Sequence, residues 1–392
     1  MSSTRLATRI RDEIARSGPI TFARYMALAL YDPTDGYYTT AVRVGRHGDY
    51  LTAPEAHPIF GWVIARQLEE LWELGQRPVP FTVIEYGPAT GSLALAVFER
   101  LTRTASPLLE CLQYWPVEIS CPAREQLVAR LEASGVAGLL RLDGESSVTG
   151  VVLANEVLDA LPVHRVRRHN GQLWEVYVDW NGERFVEILG PLSRPKLQHW
   201  LERLGVELVE GQTTELSLAV EDWLADVDRR LQRGYVLVLD YGYPVPERYD
   251  PVRFPDGTLR TYVRHTVGDD PFDSPGARDI TAHVDFTLLQ LAAQDRGFEV
   301  LGFTTQTEFL AYAGLGDLLV ELQAEPGITV ERYLATRAAA THLIDPAGMG
   351  RFRVLLLGKG VATVALPSGF RPRPLTGVPA MTDDAAGRSS LG

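Results

Sequence analysis

Glu85 stands two residues before a glycine-rich turn, Gly87-Pro-Ala-Thr-Gly91, which joins a buried strand candidate to a helix candidate. Glycines in such a turn let the backbone approach a ligand closely and point free N–H groups at it. A carboxylate there would repel a pyrophosphate, whereas it attracts an ammonium or sulfonium group. The turn also lacks the Gly-x-Gly-x-x-Gly spacing of dinucleotide-binding proteins. We therefore expect S-adenosylmethionine as the cofactor, bound by Glu85, Gly87, Pro88 and Gly91.

Two further acidic residues follow the next two strand candidates. Glu118 lies at the end of the second strand candidate, where a carboxylate can accept hydrogen bonds from both hydroxyls of a ribose. Asp143, at the end of the third, could contact the adenine amine. The alternatives are a solvated loop glutamate and an ordinary turn aspartate. Together with the glycine turn, Glu118 favours a cofactor that carries a nucleoside.

A pair of carboxylates follows the fourth strand candidate, in the sequence Asn155-Glu156-Val-Leu-Asp159. We expect a helix over 156–160, which would put Glu156 and Asp159 on one helical face, with Asn155 open to the cofactor. Two carboxylates directed into one pocket are an unusual use of charge. The structural alternative is that Asn155 caps this helix and Asp159 ends it.

These residues lie on an alternation of apolar strand candidates and helix candidates. The strand candidates are 81–85, 115–119, 138–142, 150–154, 235–240, 298–304 and 352–357. The helix candidates are 1–17, 22–30, 59–74, 92–101, 123–133, 156–160, 219–232 and 285–296. Because the strands are too apolar to have a solvent face, the pattern predicts an α/β fold with a mostly parallel sheet covered on both sides.

The alternation is interrupted, which suggests how the chain is divided. Residues 163–190 alternate like a hairpin, with turn signals at Asn170-Gly171 and Asn181-Gly182. Residues 241–279 are rich in proline and glycine and predict a long loop after a strand, where ligands bind in α/β sheets. The expected organisation is a helical and loop segment at 1–75, a core at 76–162 and 215–366, an inserted β-element at 163–214, and a disordered tail at 367–392.

Composition excludes several classes of function. Among 392 residues, 38 basic and 50 acidic side chains give a net charge of −12, which repels a nucleic-acid backbone. The two cysteines, Cys111 and Cys121, cannot build a disulfide framework or a four-thiolate zinc site, so we expect no metal site and a reducing, cytoplasmic location. Lysine occurs only at Lys196 and Lys359, and this arginine-rich bias suggests a high-GC bacterium. No stretch approaches the roughly 18 to 20 uninterrupted apolar residues of a membrane span.

Several separated motifs occur in one order along the chain. They are Gly36-Tyr-Tyr38, Gly48-Asp-Tyr-Leu-Thr52 with Pro54-Glu55, Glu85-Tyr-Gly-Pro-Ala-Thr-Gly-Ser-Leu93, Asn155-Glu156 with Asp159-Ala-Leu-Pro162, Asp240-Tyr-Gly-Tyr243, Gly257-Thr-Leu-Arg260, and Asp279-Ile-Thr-Ala-His-Val-Asp-Phe286. In these motifs the sequence resembles the MidA family of S-adenosylmethionine-dependent methyltransferases, from about residue 17 to residue 360.

The resemblance implies a Rossmann-like class I methyltransferase core of seven strands, the last antiparallel to the rest, with an inserted substrate-binding part. It implies that Asp49 and Thr52 close over the cofactor, although they could also simply order their own turn. The mitochondrial family member is known as a complex I assembly factor that dimethylates an arginine. The implied partner is therefore a basic segment of a protein, such as a respiratory-complex subunit. Ala89 stands where the family usually has glycine.

If the acceptor is an arginine, its protonated guanidinium is a poor nucleophile. Glu156 and Asp159 would then orient it, polarise one nitrogen and take the proton, with His283 as an alternative proton acceptor or a structural histidine. Tyr241 and Arg260 could line the acceptor side, or Arg260 could pair with a neighbouring aspartate. A small-molecule methyltransferase of the same fold and a non-catalytic assembly protein are the alternative functions.

Overall fold

The computed structural model describes residues 5–41, 43, 52–141, 147–263, 266–268, 270–362 and 365–372. The α-helices are α1 Arg5–Ser17, α2 Phe22–Tyr31, α3 Tyr37–Thr40, α4 Ala53–Ala56, α5 Ile59–Leu74, α6 Ser92–Arg103, α7 Cys121–Ala133, α8 Pro195–Arg203, α9 Ala219–Arg230, α10 Phe286–Gln294, α11 Gln306–Tyr312, α12 Leu315–Gln323 and α13 Val330–Leu343. The strands are β1 Ile20–Thr21, β2 Phe81–Tyr86, β3 Leu112–Val117, β4 Val148–Asn155, β5 His164–His169, β6 Gln172–Trp180, β7 Phe185–Gly190, β8 Thr213–Leu216, β9 Leu231–Asp240, β10 Gly242–Tyr243, β11 Arg260–Val263, β12 Thr266–Gly268, β13 Asp279–Thr281, β14 Val284–Asp285, β15 Glu299–Thr305 and β16 Arg353–Lys359.

The central sheet has the strand order β15-β16-β9-β4-β2-β3. β16 runs antiparallel to both of its neighbours, whereas β3, β2, β4 and β9 are parallel. Glu85 of β2 pairs with Leu153 of β4, and Asn155 of β4 pairs with Leu239 of β9. The carboxyl ends of these three strands therefore meet at one edge. The α/β prediction is confirmed.

The expected seventh strand is absent from the described part of the sheet, which has six strands. The candidate at 138–142 instead begins in the 3-10 turn Ala137–Leu139, and a single bridge joins Leu140 to Tyr114 of β3. None of the turn residues is buried. Leu139 and Leu140 pack only partly buried against the core, so this edge has less apolar packing than the central strands to favour extended pairing over a turn.

The apolar strands are buried because helices cover both faces of the sheet. Val83 packs with Phe60 of α5 on one face, and its neighbour Ile84 packs with Leu289 of α10 on the other. Successive strand residues point to opposite faces, so a doubly covered strand must be apolar at every position. Burying each such side chain contributes about 1.5–3 kcal/mol relative to exposure. The helices α11, α12 and α13, between β15 and β16, were not predicted from the sequence.

The predicted inserted β-element is present and joins the N-terminal helices. β5, β6 and β7 form antiparallel pairs, and β1 and β8 extend this second sheet. The turn residue Asn170 has φ of +51° and Gly171 has φ of +72°, as the Asn-Gly signal predicts. An apolar cluster that includes Leu6 and Ile10 of α1 fixes the N-terminal helices near this sheet.

Two predicted irregular segments contain order. The loop expected at 241–279 includes β10, β11 and β12, and β11 pairs with both β12 and β13. The start of the expected disordered tail forms a 3-10 turn, Ser368–Phe370, in which the Phe370 ring lies 5.5 Å from Phe309. Packing of this aromatic ring orders a segment whose composition is typical of disorder; residues 373–392 lie outside the described residues. Within the described ranges no helix has the length and hydropathy needed to cross a membrane.

Candidate active site

The glycine turn leaves β2 and enters α6 through three residues of left-handed backbone. Gly87, Ala89 and Gly91 have φ of +60°, +48° and +78°. A Cβ atom on Gly91 would lie 2.2 Å from Cδ1 of Leu127, so glycine is required there for space as well as for φ. Ala89 adopts the same region with a Cβ, at a cost of about 1 kcal/mol.

Glu85 lies in the penultimate position of β2 and is only 4 % exposed. Its Oε2 accepts a hydrogen bond from the Tyr114 hydroxyl at 2.7 Å. Burial raises the pKa of Glu85 to about 7. A carboxyl with a pKa near neutral pH would become fully ionised beside a bound cation, because the opposite charge favours the ionised form.

Glu118 follows β3, and its carboxylate accepts hydrogen bonds from two backbone N–H groups. Its Oε2 accepts from the Ala89 N–H at 2.9 Å, and its Oε1 accepts from the Ser120 N–H at 2.7 Å. Burial raises its pKa. Glu118 is therefore not a solvated loop glutamate: it fixes the glycine turn at Ala89, whether or not it also binds a ribose.

Most of the predicted cofactor-binding residues converge on one cleft at the carboxyl ends of β2 and β4. The cleft is lined by Thr52, Glu55, Glu85, Gly87, Pro88 and Asn155, together with Glu156. Gly91 closes the same turn, and Glu118 is one hydrogen bond away through Ala89. Asp49 and Asp143 lie outside the described residues. The cleft thus combines an acidic side chain with the open backbone of a glycine turn.

The helix predicted over 156–160 is wrong. Glu156 has φ of +52°, and only Leu158–Ala160 form a 3-10 turn. The Glu156 N–H donates to the Leu239 carbonyl at 2.9 Å, which continues the pairing of β4 with β9 instead of starting a helix. Glu156 and Asp159 do not share a helical face; Asp159 is buried and Glu156 is half-buried.

Glu156 lines the cleft and also lies near the carboxyls of Asp159, Asp240 and Asp279, which together we call the acidic pocket. Its Oε1 accepts from the Ala53 N–H at 3.3 Å, so α4 lies across the cleft opening, and Nδ2 of Asn155 lies 3.4 Å from the same oxygen. Burial, followed by the negative charge of Asp159, raises the pKa of Glu156 to about 8. In the protein alone this carboxyl is mostly protonated at neutral pH.

Asp159 is 5 % exposed, and its two oxygens have different surroundings. The Tyr241 hydroxyl donates to Oδ2, whereas Oδ1 is buried without a hydrogen-bond partner in the described part of the chain. Burial raises its pKa. An unpaired buried carboxylate oxygen is costly, and a ligand that donates a hydrogen bond would relieve that cost.

Asp240, at the end of β9, was not predicted as a site residue and positions this turn. Its Oδ2 lies 3.2, 2.9 and 3.3 Å from the backbone nitrogens of Val157, Leu158 and Asp159. Its Oδ1 accepts from the Tyr241 N–H at 2.8 Å. These bonds hold the turn in place, and the positive φ of Glu156, whose N–H bonds to the Leu239 carbonyl, is what interrupts the predicted helix. Burial and the charge of Asp159 raise the pKa of Asp240.

Two tyrosines from the N-terminal segment reach the same pocket. Tyr38 donates to Oδ1 of Asp279 at 2.6 Å, and Tyr31 donates to the Ala160 carbonyl at 2.8 Å. The two rings stack with centroids 5.7 Å apart. Burial and then the charges of Asp159 and Asp279 raise the pKa of Tyr31, so both carboxylates act on this phenol.

His283 is poorly suited to the alternative role of proton acceptor. Its ring packs on Tyr241, with centroids 5.6 Å apart. Burial and then the positive charges of Arg248 and Arg351 lower its pKa to about 3. The imidazole is therefore neutral near pH 7 but weakly basic, whereas Glu156 and Asp159 have raised pKa values.

Comparison with known proteins agrees with this arrangement. Residues 63–304 match the family model Methyltransf_28, described as "Putative S-adenosyl-L-methionine-dependent methyltransferase". The chain is 32 % identical to the Drosophila melanogaster protein named protein arginine methyltransferase NDUFAF7 homolog, mitochondrial, over 92 % of this chain and 86 % of that protein. It is 27 % identical to human protein arginine methyltransferase NDUFAF7, mitochondrial, over 81 % and 75 % of the two chains.

A solved structure of similar sequence contains the demethylated cofactor. A superfamily member from Burkholderia thailandensis, crystallised with S-adenosyl-homocysteine, is 34 % identical, covers 93 % of this chain and 94 % of its own, and superposes with a TM-score of 0.83. The family model, the relatives and this shared fold agree with the glycine turn and the acidic residue before it. The chain belongs to the MidA family of S-adenosylmethionine-dependent methyltransferases.

Proposed function

We propose that this protein methylates an arginine side chain of a partner protein. The observation that carries the proposal is the convergence of carboxyls from three separate segments, namely the half-buried Glu156 with the buried Asp159, Asp240 and Asp279. Burying like charges together is unfavourable unless they are protonated or matched by a cation. A guanidinium is always charged and donates five hydrogen bonds in a plane, which suits such a pocket. Relatives named as arginine methyltransferases support the same acceptor.

The cofactor supplies an electrophilic methyl group on a sulfonium when bound. Thr52, Glu85, Gly87, Pro88, Gly91, Glu118 and Asn155 are the described residues that would hold it. Their fit rests on the buried Glu85 carboxyl, which would face a cationic ligand, and on the left-handed turn beside it. Glu156 borders both this cleft and the acidic pocket, so the two ligands would meet beside its carboxyl.

Glu156 and Asp159 would orient the guanidinium and accept its proton. The unpaired Oδ1 of Asp159 is free to accept an N–H, while Tyr241 holds the other oxygen in place. Asp240 acts through the backbone of the turn and is a positioning residue. Holding the reacting atoms aligned supplies most of the acceleration of an in-line displacement. A positioned general base typically adds about 10²–10⁴-fold.

The experiment uses purified protein, methyl-labelled S-adenosylmethionine and a lysate of cells that lack the gene. We expect label in a protein band and, after acid hydrolysis, in methylarginine; Asp159→Asn protein should give neither signal. Label confined to small molecules would favour a methyltransferase with another acceptor, and label in methyllysine would contradict the proposal.

The partner remains a prediction, with a respiratory-complex subunit as the first substrate to test. The relatives named above carry the word mitochondrial in their names, whereas the crystallised relative is bacterial. A bacterial cytoplasmic location is therefore our proposal, checked by fractionation of the source cells.

A further inference from the structure

Consecutive backbone N–H groups at residues 282–284 hold two residues of the acidic pocket in place. The Ala282 N–H donates to the Asp159 carbonyl at 2.9 Å, and the Val284 N–H donates to the Tyr241 carbonyl at 3.0 Å. The Tyr241 hydroxyl in turn donates to Oδ2 of Asp159. The segment therefore bonds to the backbone of both residues that share this side-chain hydrogen bond, and its position determines where they lie.

The middle residue of this segment, His283, is fixed through both of its backbone groups. Its N–H donates to the Thr258 hydroxyl at 3.0 Å, and its carbonyl accepts from Nε of Arg248 at 3.2 Å. Thr258 and Arg248 are both 1 % exposed, so these bonds lie away from bulk solvent. The His283 ring packs on Tyr241, as described above. His283 thus has a structural use that does not require its imidazole to take a proton.

Glu215, on β8, holds both partners of His283 through one carboxylate oxygen. Its Oε2 accepts from Nη2 of Arg248 at 2.8 Å, from the Thr258 N–H at 2.9 Å and from the Thr258 hydroxyl at 3.1 Å. A Cβ atom on Gly257 would lie 2.0 Å from Oε1 of Glu215, so glycine lets the loop come this close. The Thr258 hydroxyl donates to Glu215 and accepts from His283, which fixes its direction.

These contacts form a continuous path from the inserted sheet to the acidic pocket. The path begins on β8, which pairs with β5 in that sheet, and runs through Glu215, Thr258 and His283 to the backbone of Asp159. Hydrogen bonds to a charged group are roughly twice as strong as neutral ones, so the carboxylate end of the path is a firm anchor. A displacement of about 1 Å at reacting groups can lower a rate by about 100-fold, so such an anchor matters for catalysis.

We propose that Thr258, held by Glu215, is a positioning residue for methyl transfer and keeps Asp159 and Tyr241 in place through the backbone of residues 282–284. This role rests on the proposed function, in which Asp159 accepts a proton from the methyl acceptor. Thr258 does not line the described part of the cofactor cleft. Its hydroxyl therefore affects the rate of transfer and the surroundings of Asp159, and leaves cofactor binding unchanged.

The test removes the Thr258 hydroxyl while keeping the size of the side chain. Thr258→Val deletes the acceptor of the His283 N–H, and Thr258→Ser retains it. In the full-length protein we measure the KM for S-adenosylmethionine and the limiting rate of label transfer into the lysate proteins described above. The ¹³C NMR signal of the Asp159 carboxyl is recorded with S-adenosyl-homocysteine at a single pH and is identified by its loss in Asp159→Asn.

For Thr258→Val we expect a limiting rate that is lower by about 10-fold to 100-fold, a KM for S-adenosylmethionine within about twofold, and a shifted Asp159 signal. Thr258→Ser should restore the rate and the signal. Thr213→Val is the matched control, because Thr213 is a buried threonine on the same strand as Glu215 and its hydroxyl accepts from Nε of Arg167. It should keep the rate and the Asp159 signal even if its melting temperature falls.

The two measurements separate this proposal from the proposed function. If Thr258→Val kept the rate and the Asp159 signal of the unmodified protein, the positioning role would be overturned and arginine methylation would stand. A loss of rate that Thr258→Ser did not restore would have the same meaning. If the unmodified protein labelled no arginine, the proposed function would fail, and the Asp159 signal would still decide whether Thr258 positions Asp159. Should Thr258→Val not fold, Thr258→Ala also removes the hydroxyl and takes its place.

Discussion

The glycine turn and the acidic pocket both place buried carboxyls at strand ends, but they satisfy them differently. At the glycine turn, Glu118 accepts two backbone N–H groups and Glu85 accepts one hydroxyl. In the pocket, Asp159 keeps one oxygen unpaired within the described residues, and Glu156 has a pKa of about 8. In the first region the chain itself supplies hydrogen-bond donors to the carboxyls, whereas the carboxyls of the second region would be stabilised by a bound cation. The difference supports our proposal that the first region binds the methyl donor and the second binds the acceptor.

The sharpest way to break this comparison is Asp159→Asn. We expect turnover to fall by about 10²–10⁴-fold, because an amide cannot take a proton or balance a guanidinium. Cofactor affinity should stay within about twofold, since Asp159 lies on the acceptor side. Methyl transfer and calorimetry with S-adenosylmethionine measure the two effects. A large loss of cofactor affinity would show that the two regions are not separate.

On the cofactor side, Glu118→Ala should weaken S-adenosylmethionine binding by about 1–3 kcal/mol. The variant removes charge-assisted hydrogen bonds and leaves the Ala89 N–H without its acceptor. Calorimetry is the measurement, and Glu125→Ala on α7 is a control at an exposed glutamate. If only the melting temperature changed, Glu118 would be a structural residue and its assignment to the cofactor would be wrong.

The pKa of Glu156 allows a test by pH. Folding favours the protonated form of this carboxyl. Between about pH 4.5 and pH 8, Glu156 therefore binds more protons in the folded protein than in the unfolded chain. The contribution of the protonated carboxyl to the free energy of unfolding is lost as the pH rises through that window. Glu156→Gln should therefore match the unmodified protein in melting temperature at pH 5 and exceed it by several degrees at pH 9, because a rise in pKa from 4.5 to about 8 corresponds to about 4–5 kcal/mol at that pH.

The activity of the unmodified protein should rise with pH across the same window, because an ionised Glu156 binds a guanidinium better than a protonated one. Thermal unfolding and initial rates at pH 5 to pH 9 provide the measurements. A melting-temperature difference that is constant with pH would mean that Glu156 does not titrate in this range.

The smallest expected effect concerns Ala89. Glycine at this position would remove the strain of φ at +48° but would also gain freedom in the unfolded chain, so Ala89→Gly should stabilise the fold by about 1 kcal/mol or less. Cofactor affinity should be equal or slightly higher, measured by calorimetry alongside thermal unfolding. A clear loss of affinity would show that the Ala89 methyl group contacts the cofactor.

Local sequence predicted the strand, glycine turn and helix of this region well for a physical reason. A strand, a tight turn and a helix are adjacent in the chain, and Gly87 and Gly91 adopt positive φ because few other residues can. The alternation of apolar segments likewise predicted most strands and helices. The failures came where distant partners decided the outcome: the Leu239 carbonyl of β9 accepts the Glu156 N–H where a helix was expected over 156–160, and Phe370 packs on Phe309 at the start of the tail.

The sequence by itself determined an α/β sheet, a turn suited to a sulfonium cofactor, and the presence of carboxylates after β4. Only the tertiary structure decided that Asp240, Asp279 and Tyr38 join them. These residues come from segments far apart in the chain, and no local periodicity records which distant side chains will share one pocket. The raised pKa values of Glu156, Asp159 and Asp240 have the same origin, because burial and neighbouring charge exist only after the segments have packed together.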